Sequence, residues 1–561
     1  MVIARGKLCG LRGPGEDDMA GSTVRSVTYD LLRDLGLTTF FGNPGSTEET
    51  FLKDFPADFT YHLALQEASA IAIADGYAQA TGKPAIVNVH TAAGLGNAMG
   101  NLITAALNKT PLIVTAGQQT REMLLMEPWL TNVDATQLPR PWVKWSYEPA
   151  RPEDVPAAFM RAYATATQAP AGPVFLSLPL DDWDKKLEGR AVVRTVSHRI
   201  APDPERLKDF AGILSGATNP ALIFGAAIDR GAGWPDAIAL AEALDATVFA
   251  APASERCPFP EDHPLYAGGL PFAIGPLSER LKGHDVALVI GAPVFRYYPY
   301  VAGAYLPQGL RLLHISDDPA ETSRAPVGDS IVGDAVLATR GLAGLVSARA
   351  ATGAAREKLA HRMAPHPASD APASGGDVPT AAEVFAALAE VRLPHTVLVE
   401  ESPSNLADLH THWPITEPAT FFTFASGGLG WNLPASVGIA LGERDTGRNR
   451  PVMLIIGDGS FQYSLQGLWT AAREQVPLVV IALRNGEYGI LKSFAVLEET
   501  PGVPGLDIPG LDLVSLAKGF GCAAERISDL SALKERVAAA FNATGPTVFE
   551  VPINPSIPPL I

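Results

Sequence analysis

Short, almost uninterrupted apolar runs recur along this chain, with helical patterns between them. In the first third the runs are "TTFFGN", "KPAIVNVH", "TPLIVTAG" and "GPVFLSLPL". Between them "VRSVTYDLLRDLG" carries helical spacing, and "EASAIAIADGYAQATG" reads as a small-residue helix closed by glycine. Strands buried on both faces read as continuous apolar runs, and strands alternating with helices build parallel sheets covered on both sides. The alternation returns in "PALIFGAA", "ATVFAAP", "VALVIGAP" and "RLLHISD", and again in "TVLVEES", "VMLIIGDG", "PLVVIALRNG" and "PTVFEVP". Two stretches interrupt it: a charged, aperiodic one at 184–205 and an Ala-, Pro-, Ser- and Gly-rich one at 351–378. A chain of 561 residues has room for three domains of roughly 150 residues. The expected layout is an α/β fold in three tandem domains, each with a mostly parallel sheet flanked by helices. They span 21–185, 206–350 and 379–555, with 351–378 as a linker. Residues 1–20 lack the apolar core of a signal peptide and read as a disordered or extra segment.

The formal net charge of −17 argues against nucleic acid, whose binders carry basic surfaces. An anionic ligand must then be held by helix N-termini or a metal rather than by the overall field. Cys9, Cys257 and Cys522 are too few and too scattered for a disulfide framework or a zinc site. Their pattern fits a reducing cytosol and a cytoplasmic location. No apolar stretch is long enough to span a bilayer.

The run "VMLII" delivers Asp458 between Gly457 and Gly459, and "SFQYSLQGLWTAAREQ" then reads as one helix. Open α/β sheets bind ligands at this carboxyl edge. A carboxylate beside a helix N-terminus is contradictory for an anion alone; a divalent cation bridging carboxylate and phosphate resolves the conflict. Magnesium (or calcium) needs further hard oxygens, and the next run, "PLVVIALRNGEYG", ends with Asn485 on an adjacent strand. Either turn alone is unremarkable. Together, with a helix of this length between them, they resemble the GDG…N motif of thiamin-diphosphate-dependent enzymes.

That resemblance implies Asp458, Asn485 and the Glu487 backbone carbonyl as metal ligands, in a C-terminal domain that binds the diphosphate. It implies cofactor contacts from Ser404, Gly457, Gly459, Ser460 and Tyr488, from the Gly427 carbonyl, and from Leu429 as a hydrophobic prop. The N-terminal domain would bind the aminopyrimidine, with Glu67, among alanines and isoleucines at a helix start, as proton relay. The middle domain would be Rossmann-like. In this superfamily the two halves of the site meet across a subunit boundary, implying a homodimer and, by extension, a homotetramer.

"FGNPGSTEETFLKDFPADFTYHLALQEASA", "PLIVTAGQQTR", "LPRPWVKWSYEPA", "DDWDK" and "IGAPVFRY" further resemble the benzoylformate decarboxylase group. Its members convert an aryl 2-oxo acid to an aldehyde and carbon dioxide and also carboligate. By position Ser46 would bind the substrate carboxylate and His90 would transfer protons. Tyr298 stands where that group has a second catalytic histidine, and a phenol cycles protons poorly at neutral pH. The implied substrate pocket holds Trp129, Leu130, Pro403, Leu406, Ile490 and Phe494; Trp129, Pro403, Leu406 and Ile490 depart from the group's pattern, as does Thr423. An acetolactate-synthase-like carboligase or acyl-CoA lyase is the alternative within the cofactor class. An NAD-binding dehydrogenase, suggested by "AAGLGNAMGN", fails the G-x-G-x-x-G spacing.

Overall fold

Every apolar run becomes a strand of a parallel sheet. The computed structural model describes residues 21–349, 378–555, 557 and 560. The expected N-terminal segment 1–20 and all but Val378 of the expected linker lie outside the described residues. The first sheet holds β1 (Thr39–Asn43), β2 (Thr60–Leu63), β3 (Ala85–Val89), β4 (Leu112–Gln118), β5 (Ser146–Tyr147) and β6 (Val174–Pro179). The second holds β7 (Pro220–Phe224), β8 (Thr247–Ala250), β9 (Tyr266–Gly269), β10 (Val286–Ile290), β11 (Arg311–Ser316) and β12 (Asp329–Val332). The third holds β13 (Val397–Glu401), β14 (Phe421–Phe422), β15 (Val452–Gly457), β16 (Leu478–Arg484), β17 (Ala523–Arg526) and β18 (Thr547–Pro552).

The orders are β2-β1-β3-β4-β6-β5, β12-β11-β10-β7-β8-β9 and β14-β13-β15-β16-β18-β17. The first and third sheets therefore share one topology, and the second is the doubly wound arrangement. In such sheets the order reverses at a switch point, where the crossovers leave to opposite faces and open a crevice. In the first sheet that point is β1/β3, and in the third it is β13/β15. The sequence motifs map onto these two places.

The first and third domains meet through the helices Glu67–Thr81 and Asn432–Asp445. Glycine permits the approach: a Cβ on Gly438 would lie 1.8 Å from the Ile73 carbonyl oxygen, and one on Gly76 2.1 Å from that of Ala435. Asp75, fully buried in the first helix, accepts from Trp431 Nε1 at 2.7 Å, Asn108 Nδ2 at 2.9 Å and Thr110 Oγ1 at 2.6 Å. Four donors, counting Gln79, satisfy this buried carboxylate. Burial still pushes its carboxyl above the usual range, against those hydrogen bonds.

Candidate active site

At the first switch point, β1 pairs with β3 in the register Asn43↔Val89. The turn after Asn43 therefore lies beside His90, which follows β3 and precedes the helix Thr91–Leu107. A Cβ on Gly45 would fall 2.1 Å from His90 Nδ1, so glycine lets this turn lie on the imidazole. Ser46 is exposed in the same turn.

The turn also supplies Glu48, which is buried and accepts from Gly117 N at 2.6 Å and Gly45 N at 2.8 Å. Its Oε2 lies 2.8 Å from His90 Nδ1. A carboxylate oxygen accepts, so Nδ1 carries a proton toward Glu48 and Nε2 is left free of that bond. The sequence reading passed over Glu48. Gly45 is local to the turn, but His90 follows β3 and Gly117 lies on β4, and only the sheet brings these two to Glu48.

Glu67 opens its helix and is buried, as expected from its apolar neighbours. Its carboxylate, however, touches amides: Asn43 Nδ2 donates to Oε1 at 3.2 Å and Asn97 Nδ2 to Oε2 at 3.1 Å. A Cβ on Gly94 would lie 3.0 Å from Oε1. Gly94, the first glycine of "AAGLGNAMGN", thus brings a helix against Glu67.

At the second switch point, β15 pairs with β16 in the register Gly457↔Leu483, which sets Asp458 beside Asn485. Asp458 Oδ1 accepts from Gly459 N at 2.9 Å and Oδ2 from Gly486 N at 2.7 Å. One carboxylate thereby ties the two glycine turns together. Burial raises its pKa, and the two N–H groups oppose the rise. Asn485 Oδ1 accepts from Glu487 N at 3.1 Å, while the Glu487 side chain is engaged by Lys492.

A Cβ on Gly459 would meet the Tyr488 ring at 2.5 Å; one on Gly489 would approach Ser404 Oγ at 3.1 Å and Asn485 Nδ2 at 3.3 Å. Ser404, Gly459, Asn485 and Tyr488 therefore form one cradle. Among the described residues no three His, Cys, Asp or Glu side chains cluster for a metal. What the two turns gather here is instead one carboxylate, Asp458, and one amide, Asn485.

The helix expected from Ser460 onward is broken. Helix Asp458–Phe461 stops and Gly467–Arg473 starts anew. The intervening chain is pressed by Gly430, where a Cβ would lie 2.5 Å from Tyr463 Cβ. Close packing of that loop overrides the local helical preference.

Of the expected pocket residues, Ile490 and Phe494 share the helix Gly489–Leu497, and Pro403 opens the 3-10 turn that precedes Leu406. Tyr298 reaches Phe494 from the middle domain, the two ring centroids 4.9 Å apart. Thr423 turns its hydroxyl to the Glu400 carbonyl at 2.8 Å. Trp129 is 94% and Leu130 46% exposed. The hydrogen-bond partners of Glu67 come from the first domain and those of Asp458 from the third.

A fold with two matched switch points, one carrying a buried glutamate and the other a GDG turn, defines a class. Residues 22–138 match the thiamine pyrophosphate enzyme N-terminal TPP binding domain, 207–342 the central domain, and 404–551 the C-terminal TPP binding domain. The chain belongs to the thiamine pyrophosphate enzyme family. Within it the chain is 44% identical to benzoylformate decarboxylase of Pseudomonas aeruginosa over 534 residues, 94% of this chain and 98% of that one. The crystal structure of benzoylformate decarboxylase from Polynucleobacter necessarius superposes with a TM-score of 0.91 at 54% identity, covering 96% and 99% of the two chains. A thiamine diphosphate-dependent 4-hydroxybenzoylformate decarboxylase of Rhodococcus jostii gives 0.88 at 40% identity, covering 95% and 99%.

Proposed function

We propose that this chain is a thiamin-diphosphate-dependent carbon–carbon lyase that decarboxylates an aryl 2-oxo acid to an aldehyde. The observation that carries the reading is the Asp458 carboxylate bonded to Gly459 and Gly486, with Asn485 and Ser404 in the same cradle. This donor set suits magnesium or calcium held by Asp458, Asn485 and the Glu487 carbonyl, with the diphosphate on the turn Gly457–Ser460.

Bound thiamin diphosphate supplies an electron sink for the pair left when the bond to carbon dioxide breaks. The protein does the rest. Glu67 holds a proton at the aminopyrimidine side, Leu429 and the Gly427 carbonyl orient the cofactor, and Ser46 binds the substrate carboxylate. His90 Nε2 gives and takes protons at the reacting carbon. The Tyr298–Phe494 pair forms an aromatic wall, which favours an aryl over an alkyl substituent.

Among the described residues the hydrogen-bond partners of Glu67 come from the first domain and those of Asp458 from the third; a homodimer with shared sites, paired again into a tetramer, completes the reading. The exposed apolar loop with Leu125 at 96% and Trp129 at 94% supports such a contact. No helix among the described residues is long and apolar enough to cross a membrane; we assign the enzyme to the cytoplasm from its cysteine usage.

The test is carbon dioxide release and product identity across aryl and alkyl 2-oxo acids, with magnesium and thiamin diphosphate supplied. Aryl substrates should yield free aldehyde fastest. Inertness toward every substrate while the cofactor binds defeats the reading, and a ketol without free aldehyde replaces it with a carboligase.

A further inference from the structure

β13 ends in two adjacent buried carboxyls, Glu400 and Glu401, and the reaction uses neither. Glu401 is wholly buried behind the second switch point. Its Oε1 accepts from Gly430 N at 2.6 Å and its Oε2 from Asn432 N at 2.9 Å. The Ser460 hydroxyl donates to the same carboxyl. One side chain thus joins three pieces of the cradle: the end of β13 that leads to Ser404, the loop carrying Gly427 and Leu429, and the turn carrying Asp458.

The loop needs such a tether. Gly427 has φ 73° and Gly430 φ 102°, so two backbone bends of the left-handed kind lie within four residues. Such a loop has no helix or strand of its own to hold Leu429 in place. Two loop N–H groups, of Gly430 and Asn432, donating to one carboxylate on β13 fix its path.

We propose that Glu401 is a positioning residue that preforms the cofactor cradle by pinning the Gly427–Asn432 loop to the GDGS turn. It touches no reacting atom and acts through Leu429, the Gly427 carbonyl and Ser460. The inference rests on the thiamin diphosphate reading above. Burial pushes the carboxyl up to about 8, against the N–H groups of Gly430 and Asn432. Gln is therefore a fair mimic of its size and neutrality, but it can accept from only one of the two N–H groups.

Cofactor affinity of the full chain, with magnesium fixed, is measured by calorimetry for wild type, E401Q and E401A. Melting of the cofactor-free proteins and near-ultraviolet circular dichroism of the bound cofactor complete the test. E401A should bind thiamin diphosphate roughly tenfold to a hundredfold more weakly, with an altered dichroism signal, and E401Q should fall between. Should E401A fail to fold, E401Q alone decides. Unchanged affinity and dichroism in a folded variant overturn the role of Glu401. Failure of the wild type to take up thiamin diphosphate overturns the underlying reading as well.

Discussion

At the scale of single residues, the Glu48–His90 pair does what neither group does alone. The buried carboxylate accepts from the backbone of Gly45 and Gly117 and fixes the imidazole through Nδ1. In E48Q an amide N–H replaces one acceptor and faces a donor, leaving a buried group unpaired at a cost of about 1–3 kcal/mol. The ring then loses its orientation, so kcat should fall roughly tenfold to a hundredfold with a much smaller change in KM. Steady-state kinetics of E48Q at saturating cofactor checks this; an equal loss confined to KM would assign Glu48 to substrate binding instead. The contrast with Asp458 explains what the sequence discloses about the site. Asp458 and Asn485 end consecutive strands, so their spacing along the chain encodes their meeting. Glu48 meets Gly117 with β2 and β3 between them along the chain, and no local pattern announces a carboxylate whose distant partners arrive by sheet pairing. Trp129 is the opposite case: its position is legible, yet in one chain it is almost wholly exposed.

At the scale of elements, the strands that sequence reading finds are the inner strands of each sheet, and those it misses are the edges. β2 and β5, β9 and β12, and β14 and β17 all lie outermost. Edge strands need bury only part of one side and are kept short. β5 and β14 have two residues each, and β17 is mostly exposed, so none makes an apolar run. The shared topology of the first and third sheets is also silent in the sequence, because strand order is set by crossovers rather than composition. The helix pair Glu67–Thr81 and Asn432–Asp445 carries a sharper test. In an open helix, Gly→Ala is favourable by about 0.5–1 kcal/mol. At Gly438 the added methyl would meet a backbone carbonyl at 1.8 Å, so the helices must part. G438A should therefore destabilise by about 1–3 kcal/mol or more, whereas G212A, on an exposed turn of the helix Pro204–Gly216 with nothing within 4 Å, should be neutral or slightly stabilising. Chemical denaturation of both variants decides the matter, and equal stability would mean that the inter-domain helix pair opens in solution.

For the whole molecule, the question is what makes three sheets act as one enzyme, and the structure answers with a buried charge junction. Glu255, wholly buried, lies 2.6 Å from both Arg230 and Arg296. Arg230 also donates to the Asn108 carbonyl of the first domain at 3.1 Å, and Thr423 N of the third domain donates to the Glu255 carbonyl at 3.0 Å. Burial opposes ionisation of this carboxyl, but attraction by Arg296 and Arg230 prevails and brings it down to about 2 from an ordinary 4.5. The sign follows directly. Between pH 4.5 and about 2 the unfolded chain binds the proton and the folded one does not, so the stabilisation is complete above that window and is lost as pH falls through it. The shift corresponds to stabilisation on the order of 3 kcal/mol. E255Q removes this and strands two guanidinium groups, costing about 3–5 kcal/mol at neutral pH. It should also lose less further stability on acidification than the wild type. Because Arg296 lies two residues before Tyr298, the same variant should loosen the wall that Tyr298 makes with Phe494 and raise KM for the aryl substrate. Denaturation at pH 7 and pH 3, with KM measured at pH 7, tests both consequences. An acid slope identical to that of the wild type would remove Glu255 from the junction, and an unchanged KM in a destabilised variant would separate domain cohesion from the shape of the substrate pocket.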